Sequence, residues 1–128
     1  MIKLVVIGFG GAIGAISRYL LSGWVHSFMG ASFPWGTFVV NMVGSFVIGF
    51  CGGIVEEVTL SQNMKLFIFM GLLGSFTTFS TFSYENFQMV RDGEYGFIAA
   101  NVGASIFVGF VMVFAGIILA RMLMTTFR

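Results

Sequence analysis

The chain has 128 residues, of which 58% are hydrophobic and 9% charged, with a formal net charge of +1. Soluble domains carry about a quarter charged residues, so this composition excludes a soluble fold and leaves room for about four membrane spans of roughly 20 residues each. No basic run offers a nucleic-acid surface, no second domain fits, and the single cysteine, Cys51, excludes an intrachain disulfide and reads as a small buried apolar side chain.

Charges punctuate the sequence. Residues 4–17, 19–55, 66–84 and 95–120 hold no Asp, Glu, Lys or Arg. The first predicted helix runs from about Leu4 to Trp24. Its start has some features of a secretion signal, with Lys3, an apolar run and small residues from Gly10 to Ala15. Three further apolar segments and the spacing Gly10-x-x-x-Gly14 favour a retained span instead. The 19–55 stretch is too long for one helix and breaks where His26, Ser27, Gly30, Ser32 and Pro34 cluster. Pro34 and Gly36 mark the next helix start, between interface-suited aromatics.

The second helix is expected from about Trp35 to Val55, ended by Glu56 and Glu57. The third is expected from about Met64 to Val90, interrupted near Gly74 to Thr78. The fourth is expected from about Tyr95 to Leu123. Short polar connections at 58–63 and 91–94 make neighbouring helices antiparallel. The predicted fold is an all-α membrane protein, with residues 1–128 forming one four-helix subunit.

Small residues recur one turn apart at Gly10/Gly14, Ser45/Gly49, Gly49/Gly53 and Ser105/Gly109, which lets helices approach closely in lipid. They serve packing within the chain or between copies. Four helices are few to enclose a polar path, so a homo-oligomer is expected. With both termini on one side, that side holds Lys3, Lys65, Arg121 and Arg128, against Arg91 and Arg18 opposite. So weak a bias permits insertion both ways and an antiparallel dimer.

The most informative stretch is Gly74-Ser75-Phe76-Thr77-Thr78-Phe79-Ser80-Thr81-Phe82-Ser83. Lipid offers its hydroxyls and backbone no partners, so it must face protein or a wet cavity. Phe79 and Phe82 share a helix face, and ring edges carry partial positive charge suited to a small anion. Core or lipid-facing phenylalanine is the alternative. Unwound backbone at the break would expose carbonyls, and those of Gly74 and Thr77 suit a hard cation such as sodium. Water or hydroxyl partners would also satisfy them.

Thr37 and Asn41 share a face of the second helix. Asn41 is either an interhelical hydrogen-bonding group or a functional donor. Asn101 and Ser105 repeat the pattern on the fourth. Donors and ring edges without carboxylates suit an anion better than a cation. Arg18 either snorkels to the interface or draws anions into a vestibule. Glu85 is expected to cap or to pair, with Arg18 as one partner. No nucleophile–base pair, metal-ligand cluster or phosphate loop marks an enzyme.

Together, Gly14-x-x-x-Arg18, Gly36-Thr37-x-x-x-Asn41, Gly74-x-x-Thr77-Thr78-Phe79-Ser80-Thr81-Phe82-Ser83-x-Glu85 and Ser105 resemble the Fluc (CrcB-type) fluoride channel family over nearly the whole chain. The resemblance implies a dual-topology antiparallel homodimer in the cell membrane, with two fluoride pores. It implies that Asn41, Phe79, Phe82 and Ser105 line the ion path, with Thr37 nearby. Ser80 and Thr81 correspond to a polar track beside it, and Arg18 to a basic residue at the vestibule. A structural sodium would sit at the dimer interface on backbone oxygens of Gly74 and Thr77. Many members carry a tyrosine four residues before the last-helix serine; here that position is Asn101. The alternative, a four-helix proton-coupled multidrug exporter, needs a carboxylate within the first span, and the first acidic residue here is Glu56.

Overall fold

The computed structural model describes residues 1–126; Arg128 lies outside them. Helix α1 spans Ile2–Met29, α2 spans Trp35–Glu57, α3 covers residues 62–76, α4 spans Phe79–Arg91 and α5 spans Tyr95–Thr126. The long uncharged runs set these lengths. All four spans, with α3 and α4 counted as one, are long and apolar enough to cross a membrane. At about 1.5 Å per residue, even the shortest covers a hydrocarbon core of about 30 Å. The chain is a multi-pass membrane protein.

The ends lie where the punctuation put them, a few residues further out. Gly30 closes α1 with φ 76°, a left-handed conformation that glycine adopts without strain, and its N–H donates to the His26 carbonyl. Pro34 stands just before α2, and α2 stops at Glu56 and Glu57. The Ser61 hydroxyl caps α3 by accepting from the Met64 N–H at 3.2 Å. Gly93, at φ 75°, turns the chain between α4 and α5.

Close backbone contact holds the helices together, because side-chain burial in lipid contributes little between spans. Helix α2 packs along α5, and α1 lies against α3. A Cβ at Gly14 would overlap the Leu72 carbonyl, and one at Gly49 the Val113 carbonyl. The small-residue motifs on α1 and α2 are therefore used within the chain and supply no argument for a second copy. Gly116 is the counterpart on α5, where a Cβ would overlap the Phe46 carbonyl. Gly116→Val should force α2 and α5 apart at a cost of about 1–3 kcal/mol. Size-exclusion profiles and thermal unfolding in detergent would show the loss.

Residues Leu66–Leu73 of α3 are wound as a π-helix, with the Gly71 backbone in contact with α1. The sequence expectation placed the interruption from Gly74. The structure keeps Gly74 helical, at φ −63° and ψ −30°, and carries the helix to Phe76. The break is Thr77 and Thr78, both extended, with ψ of 155° and 117°.

Candidate functional site

The break is built by a side chain from another helix. Asn41 on α2 donates from Nδ2 to the Thr78 carbonyl at 3.1 Å, and its Oδ1 accepts from the Thr78 N–H at 2.8 Å. One amide thus pairs both backbone groups of Thr78, as a neighbouring strand would. Thr78 is 8% exposed; without Asn41 its polar backbone would be stranded at membrane depth.

This pairing diverts helical hydrogen bonds. In a continuing helix the Thr78 N–H would reach the Gly74 carbonyl, and the Thr81 N–H the Thr77 carbonyl. The first goes to Asn41 instead. The second goes to the Thr78 hydroxyl at 3.3 Å, which caps α4. The Thr78 hydroxyl donates in turn to Thr81 Oγ1 at 3.0 Å. Two carbonyls, those of Gly74 and Thr77, therefore lose the donors a helix would give them.

Two hollows flank the break. The larger, about 710 Å³, is lined by Arg18, Thr37, Thr78, Thr81 and Glu85, with Asp92 and Glu94 also contributing. The smaller, about 320 Å³, is lined by Asn41, Ser45, Gly74, Thr77, Thr78 and Phe79. Thr78 lines both, so the break forms the wall between them.

In the larger hollow the Thr37 hydroxyl donates to Glu85 Oε1 at 2.6 Å. The expected Arg18 pairing is not formed. Glu85 reaches across to α2, and its buried Oε2 has no hydrogen-bond partner among the described residues. Arg18 is half-buried and lines the same space.

Phe79 and Phe82 do share a face, with ring centroids 5.7 Å apart and planes 34° apart. Phe79 is 78% exposed in the single chain. Ser80 and Thr81 are exposed beside it. A third group lies on the α4–α5 seam. Asn101 is 1% exposed; its Nδ2 donates to Asn86 Oδ1 at 3.4 Å, and its Oδ1 accepts from the Ser105 hydroxyl at 3.4 Å. Asn86 Nδ2 donates to the Phe82 carbonyl at 2.8 Å. Asn86 was not singled out from the sequence. Its signal was available: an amide inside a span, four residues after Phe82 and therefore one turn along the same face.

The candidate residues thus fall into three groups: the Arg18–Thr37–Glu85 hollow, the Asn41–Thr78 break and the Phe82–Asn86–Asn101–Ser105 seam. The first two share Thr78 as a wall, whereas the seam residues line neither hollow.

Residues 5–117 match the family described as CrcB-like protein, Camphor Resistance (CrcB). The chain belongs to the CrcB-like family. It is 45% identical to the fluoride-specific ion channel FluC of Geobacter metallireducens, over 94% of this chain and 98% of that one. It is 44% identical to the protein of the same name from Parabacteroides distasonis, over the full length of both. The FluC of Geobacter sulfurreducens is 45% identical, over 96% of this chain and all of its own length. The Asn41–Thr78 break lies well inside the stretch that matches the CrcB-like family.

Proposed function

We propose that the chain forms a fluoride-selective channel that lets F⁻ leave passively across the cell membrane. The near-full-length likeness to fluoride-specific ion channels carries this reading. The site chemistry supports it. Fluoride is small and holds its water tightly, so a path must offer replacement donors without a full charge that would trap the ion. The residues proposed for that path are Asn41, Ser80, Thr81, Asn101 and Ser105, with the ring edges of Phe79 and Phe82; Thr37 lies along it with its one hydroxyl proton given to Glu85. Arg18 is the proposed attraction for the anion at the vestibule, acting against the carboxylates of Glu85, Asp92 and Glu94 that line the same hollow. An inside-negative potential drives the ion outward with about 2.3 kcal/mol per charge per 100 mV. Chloride is larger and fits a narrow path of directional donors less well.

The working unit in this reading is an antiparallel, dual-topology homodimer with two pores. Two features of the chain support it. The exposed ring of Phe79, and a polar seam that lines neither hollow, leave a single copy incomplete. The aromatic belt is also one-ended. Trp24, Trp35, Tyr84 and Tyr95 all lie toward the end formed by residues 30–34 and 92–94, and Tyr19 lies closer to that end than to Ile2. Since Trp and Tyr mark both membrane interfaces, an inverted second copy supplies the missing belt.

Sodium fits the break. The carbonyls of Gly74 and Thr77, deprived of helical donors, belong to residues lining the smaller hollow. Hard cations take oxygen ligands of this kind. Two chains would offer four such oxygens to one structural ion at the dimer interface, and the ion would tie the two breaks together.

Protein reconstituted in liposomes should release fluoride rapidly to a fluoride electrode, with chloride release near that of empty vesicles. Equal release of the two ions would remove the assignment.

A further inference from the structure

Asn86 belongs to neither hollow, and its hydrogen bonds have a fixed direction. The Phe82 carbonyl can only accept, so Asn86 must turn Nδ2 toward it, as observed at 2.8 Å. That leaves Asn86 Oδ1 facing α5. An oxygen there requires a donor, so Asn101 must present its Nδ2. Asn101 Oδ1 is then left toward Ser105, whose hydroxyl donates to it. Each orientation fixes the next, and the backbone carbonyl fixes the first. Neither amide can flip without setting oxygen against oxygen.

We propose that Asn86 is a positioning residue that sets which way the Asn101 amide and the Ser105 hydroxyl face. This rests on the channel reading above, in which Asn101 and Ser105 serve the ion path. The Ser105 proton is held by Asn101 across 3.4 Å, a long contact that an arriving anion can take over. The second N–H of Asn101 remains for the ion, because an amide nitrogen has two. With Asn86 gone, Asn101 flips freely and the Ser105 proton loses its fixed resting place. Helices α4 and α5 share few other contacts, so these hydrogen bonds are a main polar link between them.

The test is a double-mutant cycle on fluoride efflux from liposomes, using N86L, S105A and N86L/S105A. Among the described residues, the hydrogen bonds link Asn86 to Ser105 only through Asn101. N86L and S105A should each slow efflux about fivefold or more, the scale of one neutral hydrogen bond. The double variant should be no slower than the slower single. Two losses that multiply would overturn the proposal, as would N86L efflux at the wild-type rate. Should N86L fail to assemble, N86A takes its place in the cycle. It also removes the acceptor that faces Asn101, with a smaller side chain and no added charge. Wild-type efflux at the empty-vesicle rate would instead indict the channel reading, which separates the two failures.

Discussion

Asn41→Ala is expected to abolish most fluoride flux, by about 100-fold, the scale on which loss of a preorganised donor acts. The substitution removes both hydrogen bonds that hold Thr78 extended. Its N–H and carbonyl are then unpaired in a buried position, each at a cost of about 1–3 kcal/mol. The backbone escapes that cost by rewinding, which returns the Thr78 N–H to the Gly74 carbonyl and closes the sodium position. Flux and sodium dependence should therefore fall together. Asn41→Asp separates the two bonds, because it still accepts from the Thr78 N–H but no longer donates to the carbonyl. Liposome efflux of both variants, with thermal unfolding in sodium and in a bulky organic cation, measures the effect. Wild-type flux in Asn41→Ala would show that the break stands without its clamp.

Phe82→Ile should cut flux by about tenfold or more while leaving the fold intact. Isoleucine keeps most of the apolar volume, so the packing cost stays well under about 1.5 kcal/mol, the usual ceiling for such swaps. It removes the positive ring edge. The ring is half-buried and lies 5.7 Å from Phe79, so the exchange also dissolves the aromatic pair. The expected pattern is a nearly unchanged unfolding temperature with collapsed efflux. Unchanged efflux would make Phe82 a packing residue, and the ring-edge part of the ion path would fall with it.

Much of the fold could be read from local chemistry. Charges such as Glu56, Glu57 and Arg91 end spans because lipid excludes them. Pro34 and Gly30 mark a helix boundary by their own backbone preferences. The interruption in the third span was legible because hydroxyl-rich backbone cannot rest in hydrocarbon. Its exact form was not. Glycine at 74 looked like the residue that yields, yet the extended pair is Thr77–Thr78, held by a side chain from another helix.

Such pairings are non-local. Asn41 and Thr78, Thr37 and Glu85, or Asn86 and Asn101 meet only once the helices dock. For Glu85, charge alone favoured Arg18, but the packing of α2 brought a hydroxyl within 2.6 Å instead. The π-wound stretch Leu66–Leu73 carries no sequence mark, since its apolar run suits either winding. Asn86 stood beside the more conspicuous Glu85, and only its spacing of four from Phe82 marked it.

The most direct measurement is the reversal potential of current through a planar bilayer containing the protein, under a fluoride gradient and equal pH. It should move by about 59 mV for each tenfold change in the fluoride ratio, the Nernst value for one charge, and stay fixed when a pH or chloride gradient is imposed. A reversal potential that follows protons or chloride would contradict a passive fluoride-selective pore.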